Sequence, residues 1–113
     1  MAADGALLVT GASGFLGREI VRQAAAAGQL VWGAWHSHPV TAPGVQTLRL
    51  DITDREAVLL ALAAIQPAAV IHTAYSKQEP WLEAVTAAGA GHVAEAAAQV
   101  PGFVPLAALV LFA

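Results

Sequence analysis

The 113-residue chain has no cysteine, which removes a disulfide framework, a thiolate metal site and a cysteine nucleophile together. Charge is scarce as well: Asp, Glu, Lys and Arg are 12% of the residues, Lys and Arg number five, and the net charge is −3. A chain of this kind offers nucleic acid no basic field, and no nucleic-acid partner is expected. No basic region precedes the first apolar stretch, which runs into glycines and not into a cleavage site, so no secretion signal is expected. Together with the missing cysteines, that fits a cytoplasmic setting. The longest apolar run, 103–113, is broken by Pro105 and falls short of the ~18 residues a membrane-spanning helix needs, so it reads as buried strand and no membrane partner is expected. His36 and His38 sit two apart with no acid beside them, a poor zinc site. Gly-x-Ser-x-Gly is absent and Ser13 has no adjacent base, so serine nucleophile chemistry is not indicated.

What the chain has in quantity is apolar residues, 58% of the total, enough for the core of one small domain. It is organised around Leu7-Leu8-Val9-Thr10-Gly11-Ala12-Ser13-Gly14-Phe15-Leu16-Gly17-Arg18-Glu19-Ile20. An apolar strand leads into a turn with Gly11, Gly14 and Gly17 three apart, and an amphipathic helical pattern follows. A helix start presents unpaired N–H groups and a partial positive charge, and glycines let backbone approach a ligand without a Cβ between them. The stretch therefore reads as a pyrophosphate cradle: Gly11 permits the turn, Gly14 faces the phosphates, and Gly17 lets the helix lie close to the sheet.

Further along, apolar positions at helical spacing run from Phe15 to Ala27 and stop at Gly28, and Leu30 to Trp35 reads as a second strand. Val45 to Leu50 alternates, as a strand near a sheet edge does. Thr53-Asp54-Arg55-Glu56 has the spacing of a capping box with Thr53 as the cap, opening a helix that Pro67 closes. Ala68 to Thr73 is a fourth strand, Trp81 to Gln99 an alanine-rich helix interrupted by Gly89 and Gly91, and Phe103 to Phe112 a fifth strand. Strands and helices in alternation predict a doubly wound parallel sheet of Rossmann-like type, three layers α/β/α, within one domain over 1–113.

The polar candidates all fall just past the ends of strands, where such sheets bind ligands. In a dinucleotide fold an acid roughly 20 residues beyond the glycines takes the ribose hydroxyls of NAD. None occurs between Glu19 and Asp51. Trp35, His36, Ser37 and His38 stand there instead, able to donate to a 2′-phosphate without repelling it. NADP is thus favoured over NAD, unless this stretch is only an exposed loop ahead of Pro39. Asp51 either caps its own turn, accepts from a ligand, or does both. His72, alone in an apolar strand, reads as a positional core histidine.

The glycine turn, with Thr10 ahead and Phe15-Leu16 inside, resembles that of the extended short-chain dehydrogenase/reductases, which reads T-G-A-x-G-F-L-G or its isoleucine variant. Leu50-Asp51-Ile52-Thr53-Asp54, Gln66-Pro67-Ala68-Ala69-Val70-Ile71-His72 and Gly89 with Val93-Ala94-Glu95-Ala96-Ala97 are similar to the dTDP-4-dehydrorhamnose reductase branch. The resemblance implies NADP or NAD as cofactor, held by Gly11, Ser13, Gly14, Phe15, Leu16 and Gly17 around the pyrophosphate. It implies that Asp51 meets the adenine amino group, Ile52 packs on the ring, and His72, Thr73, Ala74 and Tyr75 lie along the ribose. It implies reduction of a keto group on a nucleotide-linked sugar, and a homo-oligomer is compatible with it. The likeness departs where Ala107-Ala108-Leu109 replace a polar strand segment and where Thr86 replaces an asparagine. The Y-x-x-x-K pair of the family is missing, Tyr75-Ser76-Lys77 not being that motif, so no catalytic residue is assigned and the chain is expected to be the cofactor part of such an enzyme, cut after about the fifth strand, and inactive alone. A non-catalytic NAD(P)-binding sensor or interaction module is the alternative.

Overall fold

The computed structural model describes residues 5–73, 88–101 and 108–110. Among them are strands β1 (Leu7–Thr10), β2 (Val31–Trp35), β3 (Val45–Arg49), β4 (Ala69–His72) and β5 (Ala108–Val110), and helices α1 (Phe15–Ala26), α2 (Arg55–Ile65) and α3 (Gly89–Ala98). The strands form one parallel sheet in the order β3-β2-β1-β4-β5, with Thr10 level with Ala34 on one side and His72 on the other.

Successive residues of a strand face opposite sides of a sheet, and β1 is covered on both. Leu8 enters a cluster with Val58 and Leu62 of α2, Val70, and Val93 and Ala97 of α3. Val9, its neighbour, enters the other cluster with Val21 of α1, Val31 and Val40. This is why β1 reads as an unbroken apolar run, and it makes the domain a three-layer α/β/α Rossmann-like unit. β3 is the expected edge strand, but its burial does not alternate: Gln46, Thr47 and Arg49 are exposed and Val45 and Leu48 half-buried, because with no strand beyond it among the described residues neither face is fully covered.

The chain leaves α1 through Gly28 at φ +86°, and leaves α2 through Gln66 at φ 50°, a left-handed cap ahead of buried Pro67. The capping box needs correction. Thr53 is not the cap, because its hydroxyl donates to Asp51 Oδ1 at 2.6 Å. Asp54 caps α2 instead, its carboxylate accepting from the Ala57 N–H at 3.1 Å. At the first residue of α2, Arg55 clasps Glu95 of α3 through two bonds of 2.8 and 2.9 Å. Exposed pairs of this kind add little stability, so the α2–α3 contact rests on its apolar face. The part of the expected helix before Ala88, and of the expected fifth strand outside 108–110, lies outside the described residues. No helix among the described residues is long and apolar enough to cross a membrane.

Candidate dinucleotide site

From β1 the chain builds outward to β2 and β3, then returns to the other side of β1 for β4, so the strand order reverses between β1 and β4. A crevice opens at the carboxyl ends of strands at such a point. The glycine turn stands over it. Gly11 takes φ +68°, a conformation that costs an L side chain dearly, and its carbonyl accepts the Gly14 N–H at 3.0 Å. The Ala12 N–H, bonded to Ala34 O at 3.0 Å, extends the ladder to β2 by one more rung.

Gly14 is the N-cap of α1 and has no side chain to cap with, and the first turn holds no acid. The amides of Phe15, Leu16 and Gly17, which have no intrahelical acceptor, are therefore left for a ligand, together with the positive end of the helix dipole. Gly14 and Phe15 are exposed, Ser13 and Leu16 half-buried, Gly17 buried. At Gly17 a Cβ would run into the Gly11 carbonyl, with its carbon at 2.8 Å, and would lie 2.9 Å from Thr73 Oγ1. The helix is seated on the turn as closely as glycine allows.

Beneath the turn, three buried polar side chains join β1 to the end of β4. Thr10 Oγ1 lies 2.6 Å from His72 Nδ1 and accepts the Thr73 N–H at 3.2 Å, and the Thr73 hydroxyl donates to Thr10 O at 2.6 Å. His72 Nε2 is buried without a partner among the described residues. Burial pushes the His72 imidazole down to about 4, since charging it there would leave a cation out of reach of water. Below its ordinary value near 6.5 the unfolded chain takes up a proton here and the folded chain does not, so stability falls as the pH drops through that window. We expect a loss of about 2 kcal/mol between about pH 7 and pH 5 in urea titrations, and a clearly flatter profile in His72→Asn. Equal slopes in the two proteins would show that this imidazole is not held neutral.

At the other end of the crevice, β2 runs out into His36 and Ser37, both exposed, and β3 into Asp51. Asp51 Oδ1 accepts the Thr53 N–H at 2.9 Å and the Thr53 hydroxyl, while Oδ2 faces His36 Nε2 at 3.8 Å. The Thr53 hydroxyl is the main cause that holds this carboxyl below its ordinary range, with partial burial opposing and His36 and Arg49 assisting. Arg49 is a member of this group that residue spacing does not single out. Its Nε donates to His36 O at 3.1 Å because Arg49 is level with Trp35 in the β2–β3 register. The signal that could find it is the register itself: the last residue of an edge strand lies beside the last residue of its neighbour. Ile52, the next expected contact, is buried, its side chain lying against Gly89, where a Cβ would come within 2.7 Å of Ile52 Cγ1. The structure thus brings Gly11, Ser13, Gly14, Phe15, Leu16, Gly17, His72 and Thr73 together at the switch point and His36, Ser37, Asp51 and Ile52 at the neighbouring strand ends. Ala74 and Tyr75 lie outside the described residues.

Residues 7–100 match the profile of the NAD dependent epimerase/dehydratase family. No curated protein matches the sequence. Among solved structures, a putative epimerase from Burkholderia cenocepacia is 28% identical with a TM-score of 0.79, over 99% of this chain and 38% of that one. The Thermus thermophilus UDP-glucose 4-epimerase, in complex with NAD, is 29% identical with a TM-score of 0.76, over 84% of this chain and 34% of that one. The Bordetella bronchiseptica enzyme WbmH, in complex with NAD+, is 26% identical with a TM-score of 0.73, over 82% of this chain and 35% of that one. The chain spans little more than a third of the length of these structures.

Proposed function

Because the chain belongs to the NAD dependent epimerase/dehydratase family, we propose that it binds a nicotinamide dinucleotide, and that it is the cofactor part of an oxidoreductase acting on a nucleotide-linked sugar. The observation that carries this reading is the uncapped, acid-free start of α1, held against the Gly11 carbonyl at the switch point of the sheet. The residues present fit the group: a Cβ at 17 would collide with the turn, position 14 carries no side chain over the approach, and the first-turn amides have no side-chain competitor.

In this reading the amides of Phe15, Leu16 and Gly17 hold the pyrophosphate, with Ser13 beside them and Gly14 leaving the approach open. Asp51 accepts from the adenine amino group with the edge of its carboxylate that Thr53 leaves uncovered, and Ile52 borders the ring. Thr73, with Ala74 and Tyr75 after it, runs along the ribose. For the 2′ position the chain offers His36, Ser37 and the guanidinium of Arg49, and no acid at the end of β2, a set that favours NADP. When bound, the nicotinamide supplies or accepts the hydride. Reduction of a keto group also needs a proton donor at the forming alkoxide, and the sequence has one tyrosine, Tyr75, and no Y-x-x-x-K pair. The finer likeness, to reductases of a dTDP-linked deoxysugar, rests on the segments around Asp51 and His72.

The test is a titration of the folded chain with NADPH and NADH, read by quenching of tryptophan fluorescence, Trp35 standing at the end of β2 next to His36. Saturable quenching, stronger with NADPH, supports the reading; no response to either overturns it. Asp51→Ala is expected to weaken both cofactors alike, by about tenfold, because it removes one charged acceptor from the adenine they share. An effect on one cofactor alone would contradict that placement.

A further inference from the structure

The Thr73 side chain is spent on main-chain oxygens of the turn. Its hydroxyl donates to Thr10 O at 2.6 Å, and Gly11 O lies 3.3 Å away as a second acceptor. Its N–H goes to Thr10 Oγ1, which in turn meets His72 Nδ1. The three side chains come from two neighbouring strands and are 1%, 3% and 7% exposed for Thr10, His72 and Thr73. At the end of a buried parallel strand a valine has the same shape and no polar atom to satisfy, so a hydroxyl here is favourable only through the bonds it makes. Those bonds converge on Thr10, the last residue of β1, from which the chain enters Gly11. The Gly11 carbonyl accepts the Gly14 N–H at 3.0 Å and is the obstacle that a Cβ on Gly17 would strike, while Thr73 Oγ1 stands 2.9 Å from that same Cβ position.

We propose that Thr73 is a positioning residue for the pyrophosphate: its hydroxyl and N–H clamp Thr10, the residue that leads into Gly11, with the Gly11 carbonyl at the edge of the hydroxyl's reach, and so fix where the first-turn amides of α1 stand. The proposal rests on the reading of the turn as a cofactor cradle. Donors to a phosphate act only when held near their working positions, and a turn that must be ordered on binding loses part of its affinity to that ordering. The hydroxyl does this ordering in advance, from a strand that contributes no amide to the α1 start.

Thr73→Val keeps the shape and removes the donor, and Thr73→Ser keeps the donor. In the whole chain, Thr73→Val is expected to lower NADH affinity about tenfold while changing affinity for the free base adenine less than about twofold, since adenine meets the Asp51 end and neither the turn nor Thr73; Thr73→Ser is expected to bind NADH close to the wild-type level. Amide hydrogen exchange at Gly14, whose N–H is bonded to the Gly11 carbonyl, should quicken in Thr73→Val and recover in Thr73→Ser with no ligand present. Unchanged NADH affinity in Thr73→Val, equal losses for NADH and adenine, or unchanged Gly14 exchange would overturn the proposal. A wild-type chain that binds no nucleotide would defeat the cradle reading instead, and the exchange comparison would still decide whether Thr73 holds the turn.

Discussion

Gly17→Ala is expected to abolish measurable NADH binding and to destabilise the chain by about 2 kcal/mol, the range found when atoms are forced into a packed interior. The added methyl would collide with the Gly11 carbonyl, whose carbon is 2.8 Å from it, and would sit 2.9 Å from Thr73 Oγ1. Neither obstacle is the loose end of a side chain. The carbonyl is fixed by its bond from Gly14, and the hydroxyl by its bond to Thr10, so relief requires α1 to move away from the turn. Moving α1 displaces the amides meant for the pyrophosphate. The sign of the stability change is informative because intrinsic propensity points the other way: alanine in a helix is favoured over glycine by about 1 kcal/mol. Gly91→Ala supplies the control, since Gly91 lies within α3 and a methyl added there would meet nothing within 4 Å, and it should stabilise by up to about that amount. Urea denaturation and NADH titration of both variants check the pair. A Gly17→Ala chain as stable as Gly91→Ala would mean that the contact between α1 and the turn is not tight.

Local chemistry makes the centre of this fold legible in the sequence, and the parts that stay hidden depend on contacts distant along the chain. The apolar run of β1, the three glycines and the periodicity of α1 are consecutive, and each implies its neighbour, so strand, turn and helix follow from one stretch. The edge position of β3 is equally legible, because its polar residues Gln46, Thr47 and Arg49 could not all be covered, and the strand buries neither face fully. The cap of α2 is ambiguous in the sequence because Thr53 and Asp54 are both good caps. What separates them is Asp51, which takes the Thr53 hydroxyl and leaves Asp54 to the helix. Arg49 is hidden because its neighbour His36 is thirteen residues away and becomes one only through the β2–β3 register. His72 reads as a core histidine, which its burial agrees with, but its partner Thr10 is 62 residues distant and no periodicity reports such a pair. Site residues contributed by one continuous segment can be read from spacing, whereas residues contributed by adjacent strands require the strand order first.

Gly14→Asp separates binding from folding most sharply. Gly14 has φ −76° and ψ 172°, extended backbone open to any residue, and a Cβ there meets only the Gly11 oxygen, at 3.3 Å. Aspartate is among the preferred N-cap residues, and its charge lies at the positive end of the helix. The folded state is therefore expected to lose nothing, or to gain up to about 1 kcal/mol, once the turn has given by a few tenths of an ångström. The ligand meets the opposite situation. The carboxylate would take the amides intended for the phosphates and set a negative charge against them, and NADH affinity should fall by at least about 100-fold. Gly14→Ala makes the same contact with Gly11 O and carries no charge, so its loss of affinity should be far smaller. Thermal unfolding together with NADH titration of the two variants reads both quantities. If Gly14→Asp binds NADH as the unaltered chain does, the start of α1 does not hold the pyrophosphate; if both variants lose affinity equally, space and not charge excludes the ligand.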